Sequence, residues 1–201
     1  MNKDLSILIA SVEERRDSLI ELLTNFGNQI HEGKFYSNVE VLREVDNKEI
    51  SIGLKRQKLL ERASGKFVVF FDDDDEPYSF YIKKIIKAIE SNKDIDCIGI
   101  NIDMTTNGTN YQKCSHCLKH GVWRNGNKGE DFDYYRNITH FNPVLREKAI
   151  QAGFRDIRFG EDKDYCDRLN PLLNKEYIIE EPIFHYKFTN HQEHNSKYGI
   201  K

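Results

Sequence analysis

Phe67-Val68-Val69-Phe70-Phe71 runs straight into Asp72-Asp73-Asp74-Asp75, an apolar stretch closed by consecutive carboxylates. An apolar run with no polar face is the pattern of a central parallel strand covered by helices on both sides. Carboxylates crowded at the end of such a strand repel one another and lose hydration unless a cation or buried donors offset the cost. In open α/β sheets, ligands bind just beyond the carboxyl ends of the strands. A hard divalent ion, Mg²⁺ or Mn²⁺, held by one or two carboxylates together with substrate phosphates, suits that place. If the backbone stays extended, Asp72 and Asp74 point one way and Asp73 the other. The bland alternative is a solvated acidic turn, the common fate of a charge run.

Working outward, strand and helix patterns alternate through the first hundred residues. Leu5 to Ala10 reads as a buried strand, and Leu19, Ile20, Leu22, Leu23 and Phe26 form a helical stripe after Asp17-Ser18, ended by Gly27. Val39, Val41 and Val45 alternate, so a second strand runs to about Asp46. Ile52, Leu59, Leu60 and Ala63 share a helical face from Ser51, with Gly65 as the expected C-cap. After Pro77, Ser79 is placed to cap a helix bearing Ile82, Ile85, Ile86 and Ile89, and Ile98, Ile100 and Ile102 alternate as a further strand. That order predicts a three-layer α/β fold. Residues 104–140 lose the rhythm and read as an irregular excursion. A helix is expected from Asn142-Pro143 to Gly153, another after Gly160 with Tyr165, Leu169, Leu172 and Leu173 on one face, and a strand around Tyr177–Ile179. The tail from Thr189, with His191 and His194, reads as polar loop.

The 201 residues are 38% hydrophobic and 11% aromatic, enough for the core of one domain. Net charge is −3 from 30 basic and 33 acidic residues, so the basic footprint of a nucleic-acid binder is missing overall. No apolar run is long enough for a membrane span, and the N-terminus lacks signal-peptide features. Four cysteines make no disulfide framework in a chain this long, so a soluble, cytoplasmic protein is expected.

A second acidic motif, Phe159-Gly160-Glu161-Asp162-Lys163-Asp164, falls at a helix start, where the dipole favours negative charge. One of these acids can act as a general base, and ordinary helix capping is the competing reading. A calcium loop counted from Asp72 fails, because its sixth and twelfth positions hold Pro77 and Lys83. Cys114-Ser115-His116-Cys117 with His120 is half of a zinc site and lacks its second pair.

Taken in order, several segments resemble the inverting nucleotide-sugar glycosyltransferases of family two, which have the GT-A fold. They are Leu5–Ser11, Asp46, the run from Ser51 through Gly53, Arg56, Ala63 and Gly65 to Asp75, His140-Phe141-Asn142-Pro143, and Gly160–Tyr165. The likeness spans residues 5–188 and is nearest to the short, single-domain members found in phages and large viruses. Gln57, where the family often has Asn, and the extra Asp73 depart from it.

The resemblance implies one domain over residues 1–201, a three-layer α/β/α sandwich with a mixed, mostly parallel sheet. Residues 1–103 would form the nucleotide-sugar half and 104–201 the acceptor half. It implies that Ala10, Ser11 and Val12 line a nucleobase pocket with Asp46 accepting from the base, and that Lys55 and Arg56 contact base or phosphate. Asp72 and Asp73 would complete donor binding, and Asp74, Asp75 and His185 would be the metal ligands. Asp162 would take the acceptor's proton, with Glu161 orienting the acceptor. The implied cofactor is Mn²⁺ or Mg²⁺ and the implied donor a nucleotide-diphosphate sugar, UDP-linked first. The acceptor would be a glycan, a lipid-linked group, a protein or a modified base. A non-catalytic, divalent-ion-dependent nucleotide or carbohydrate binding module is the rival reading. A nucleotidyltransferase is disfavoured because residues 8–16 hold no glycine for a phosphate loop.

Overall fold

Leu5, Ile7 and Ile9 face one side of the first strand and Leu8 and Ala10 the other, and all are buried. A strand apolar on both faces needs cover on both. The computed structural model, which describes residues 3–189, supplies it. β1 (Leu5–Val12) pairs in parallel with β2 (Val39–Asp46) and with β3 (Phe67–Phe70). On the Ile7 face lie α1 (Arg16–Gly33) and α3 (Tyr81–Ser91), packed through Leu22, Phe26, Ile82 and Ile85. On the Leu8 face lie α2 (Ile52–Arg62), α4 (Arg146–Ala152) and α5 (Glu161–Leu169), packed through Leu59, Ala149 and Tyr165. The expected three-layer α/β sandwich is the observed one.

The sheet continues beyond β3. β4 (Glu76–Pro77) runs antiparallel to β10 (Glu176–Phe188), which lies parallel to β5 (Cys97–Thr106). β5 also pairs antiparallel with β6 (Thr109–His116), and β6 pairs in parallel with β8 (Tyr134–Arg136), whose other neighbour is β7 (Arg124–Asn125). β9 (Val144–Leu145) bridges β3 to the start of β5. The sheet is mixed, with most of its register in parallel pairs.

Several boundaries differ from the sequence reading. α1 runs through Gly27 to Gly33 and stops where Lys34 turns left-handed. Ser79 caps nothing; the Gln29 side chain of α1 accepts from Ile82 N at 2.9 Å and serves the first turn of α3 instead. Gly65 is no C-cap, since α2 ends at Ala63 in extended geometry. A Cβ at Gly65 would lie 2.6 Å from Ser6 N, so its role is close approach to β1. The 104–140 stretch carries three further strands of the sheet amid irregular loop: β5 turns into β6 at Asn107-Gly108, both with positive φ, as the two-residue hairpin turn requires. Asn142-Pro143 starts no helix, because the residue before proline is held out of helical geometry and Asn142 donates to the carbonyls of Ile98 and His116. α5 closes at Leu169, leaving Leu172 in a following turn. The last strand is far longer than 177–179; register shifts around Pro182 had broken its alternation. His191 and His194 lie outside the described residues.

Gly53 positions the site. A Cβ there would sit 2.1 Å from the Arg155 carbonyl oxygen, and Gly53 N donates to Ile157 O at 3.3 Å. The first turn of α2 therefore rests directly on the 153–160 loop. Gly27, in contrast, has nothing within 4 Å of its Cβ position. Urea denaturation is expected to show Gly53→Ala destabilised by about 1–3 kcal/mol through overpacking. Gly27→Ala, a glycine removed from a helix interior, is expected to gain about 0.5–1 kcal/mol. Equal midpoints for the two variants would contradict the close approach.

Candidate active site

Ser51 starts α2 by accepting from Leu54 N at 3.0 Å, and its hydroxyl donates to Asp156 at 2.6 Å. The next turn of this helix carries Lys55 and Arg56, both buried. Lys55 Nζ donates to the Ser11 carbonyl at 2.7 Å and pairs with Asp46. Arg56 reaches further: Nη2 donates to Asp72 Oδ1 and Nη1 to Glu161 Oε1, each at 2.8 Å. Burial alone would lower the Arg56 pKa, but the charges of Asp72, Glu161 and Asp162 raise it. Burial would likewise raise Asp72, yet Arg56 and His140 hold it well below the usual carboxylate range. Glu161 is pushed up by burial against the pull of Arg56.

The acidic run does not continue the strand. Asp73 and Asp74 form a turn in which Asp75 N donates to Asp72 O at 3.3 Å, so the alternation expected of an extended backbone is lost. Asp73 and Asp75 are the buried pair. Asp73 accepts from the Ser11 hydroxyl and from Arg15 Nη1 at 2.8 Å. Arg15 also pairs with Asp74 at 3.1 Å. Asp75 Oδ1 accepts from Lys187 N at 2.9 Å, while its Oδ2 is buried without a partner. Burial, reinforced by Asp72, pushes the Asp75 carboxyl well up.

Two cavities meet over this network. One of about 470 Å³ is lined by Ala10, Ser11, Val12, Lys48, Ile50, Lys55 and Asp73. The other, about 580 Å³, is lined by Arg56, Asp72, His140, Glu161 and Asp162, with His116, Trp123 and Arg136. Ile52, Arg158 and Phe159 belong to both. A space of about 350 Å³ between Arg15, Arg56, Asp72 and Tyr186 connects them. Asp162, at the start of α5, makes no ion pair among the described residues; there its Oδ1 accepts only from the adjacent Lys163 N at 2.8 Å. No side chain caps this helix.

Most of the residues singled out in the sequence converge here, with exceptions. Asp46 is occupied: it accepts from Lys48 N and Ile50 N at 3.1 and 2.9 Å and pairs with Lys55, shaping the loop under the first cavity. His185 is not brought to Asp74 and Asp75, since its Nε2 pairs with Thr105 Oγ1 at 2.9 Å. Among the described residues no group of three or more His, Cys, Asp and Glu converges as a metal cage, the zinc half-site of Cys114, Cys117 and His120 included. The two cysteines are buried, and His120 Nε2 pairs with Ser115. Sequence reading missed Arg15, whose position on a short turn carries no pattern. His140, which the resemblance put only in an acceptor-side motif, has both ring nitrogens buried without a hydrogen bond among the described residues, with Nε2 3.7 Å from Asp72.

The sequence profile of Glycosyl transferase family 2 matches residues 6–154. The chain belongs to glycosyl transferase family 2. No curated protein matches it significantly. Among solved structures, S. aureus TarS 1–349 superposes with a TM-score of 0.64 at 15% identity, covering 92% of this chain and 60% of that one. The same TarS fragment in complex with UDP-GlcNAc superposes at 0.62, also at 15% identity, covering 92% of this chain and 58% of that one. The family 2 chain described here thus spans about 60% of the length of the TarS fragment, with the same fold.

This family 2 site makes two measurable demands. Arg56→Met leaves Asp72 and Glu161 without their shared cation, and a loss of about 3–5 kcal/mol in unfolding free energy is expected. The second concerns His116, which burial, together with Arg136 and His140, pushes down to about 3. Its folded pKa is depressed, so its contribution is complete above the unfolded value near 6.5 and is lost as pH falls toward about 3. His116→Asn, which keeps a partner for Thr139, is expected to flatten the fall of stability over that window. Parallel pH profiles for wild type and variant would contradict this.

Proposed function

We propose that the protein is an inverting, metal-dependent glycosyltransferase that moves a sugar from a nucleotide-diphosphate sugar, UDP-linked first, to an acceptor hydroxyl. The observation that carries this reading is the unpaired Asp162 carboxylate in a cavity continuous, past Asp72 and Arg56, with the one beneath Ala10, Ser11 and Val12. The TarS structures with UDP-GlcNAc and with UDP support the donor class. On this reading residues 1–103 serve mainly the donor and 104–201 the acceptor, within one domain. No helix of the described residues is long and apolar enough to cross a membrane. The four cysteines are all free, which suits a reducing compartment such as the cytoplasm.

The chemistry follows from the groups present. Asp162 accepts the proton of the acceptor hydroxyl as its oxygen attacks the anomeric carbon. The bond from that carbon to the diphosphate breaks on the opposite face, and the nucleotide diphosphate leaves with the electron pair. Arg56 holds Asp72 and Glu161 in place during the transfer, and Glu161, tied to Arg56, orients the acceptor. Asp74 and Asp75 are the residues that would hold Mn²⁺ or Mg²⁺, and the orphaned, buried Asp75 Oδ2 supports that assignment. When bound, the ion offsets charge developing on the departing diphosphate.

Asp162→Asn is expected to lower the single-turnover rate by roughly 10²–10⁴ while leaving metal-dependent UDP affinity and melting temperature unchanged. Asp74→Asn is expected to weaken UDP binding in the presence of Mn²⁺. Calorimetry giving the same UDP affinity with Mn²⁺ and with chelator would remove the metal from the proposal. An Asp162→Asn enzyme that is fully active but less stable would reduce that residue to helix stabilisation.

A further inference from the structure

Arg136 lies on β8 in register beside His116 of β6, and both line the larger cavity. Its guanidinium carbon stands 5.2 Å from the Trp123 ring centre and 4.9 Å from that of Tyr134. Nη1 donates to the carbonyls of Arg124 and Tyr135 at 2.7 and 2.9 Å. Nε and Nη2 make no hydrogen bond among the described residues, and no Asp or Glu there forms an ion pair with this side chain. Burial lowers its pKa, and no carboxylate acts to raise it. The contrast with Arg15 and Arg56 is plain, because each of those cations holds two carboxylates. Arg158 lines the same cavity, bonded only to the carbonyls of Lys48 and Glu49, and is likewise free of carboxylate partners among the described residues.

A half-buried guanidinium that lines a cavity and keeps Nε and Nη2 unbonded is built to take an anion, since its planar fork matches phosphate and carboxylate oxygens in pairs. We infer that the cavity containing Asp162 binds an acceptor that carries a negative charge, a phosphate or a carboxylate, held by Arg136 with help from Arg158. Trp123 offers the flat apolar face on which the uncharged part of that molecule rests. Calling the ligand an acceptor rests on the glycosyl-transfer reading; the anion site itself rests on the cavity and its cations.

Trp123 is the sole tryptophan of the chain, so its fluorescence reports on this cavity directly. The full chain is titrated with glucose 6-phosphate, with glucuronate and with glucose, while UDP affinity with Mn²⁺ is measured separately by calorimetry. The anions are expected to change the Trp123 emission saturably, glucose to bind at least tenfold more weakly, and added salt to weaken only the anions. Arg136→Gln is expected to lose at least tenfold in anion affinity with UDP affinity unchanged, and Arg158→Gln about threefold. Arg136→Lys, which keeps the charge without the fork, should fall between wild type and Gln. Response to one anion alone assigns phosphate or carboxylate. Equal binding of glucose and its phosphate, insensitivity to salt, or unchanged affinity in Arg136→Gln overturns the inference. If Arg136→Gln does not fold, the salt series on wild type and the Arg136→Lys variant decide. Anion binding without UDP binding would leave the site standing and reject the donor reading.

Discussion

One guanidinium joins three distant parts of this chain. Arg56 comes from α2, Asp72 from the end of the central strand and Glu161 from the first turn of α5. A buried cation between two buried or half-buried carboxylates costs desolvation on every partner, and such an arrangement holds only while all its hydrogen bonds are made. The geometry of the site depends on it. It fixes the carboxyl end of β3 against the helix that carries Asp162, and so sets the distance between the two cavities. Gly53, one turn earlier, lets the same helix lie on the backbone of the 153–160 loop, so Arg158 and Phe159 are carried along.

The acids of the site differ in what surrounds them rather than in type. Asp73 is fully engaged by Ser11 and Arg15, Asp72 by Arg56, and Asp46 by Lys55 and two backbone donors. Asp75 keeps one buried oxygen without a partner, and Asp162 forms no ion pair among the described residues. Groups whose surroundings leave an interaction unmade are where a ligand gains most by supplying it. On the same logic, Arg136, which no acid answers among the described residues, lines the larger cavity. Under the proposed function, the two cavities that meet at the strand end are the nucleotide side and the acceptor side.

Much of this was legible in the residues. The apolar run Phe67–Phe71 declared a central strand, and the alternation before and after it declared the helical layers. The order of Gly53, Arg56, the acidic run and Gly160-Glu161-Asp162 declared the family. What escaped had physical causes. The hairpin at Asn107-Gly108 was hidden because β6 is exposed at its start and carries no apolar alternation there. The length of β10 was hidden by Pro182 and its bulges, and with it the placing of Tyr186 and Lys187 at the site. Helix ends misread as Gly27, Gly65 and Ser79 were decided by contacts from other elements, such as Gln29 onto Ile82.

The division is therefore between what spacing encodes and what only contact can decide. Periodicity and composition are properties of neighbours along the chain, so the sequence by itself determined the layers, the central strand and the position of the acids at its end. Which acid is paired, which is orphaned and which faces a cavity depends on partners 16, 58 and 105 residues away. The extended register expected for Asp72 and Asp74 gave way to a turn, because Ser11 and Arg15 draw Asp73 inward. Only the folded chain brings those donors within reach, and their geometry, not the order of the residues, sorts the four neighbouring carboxylates into different environments.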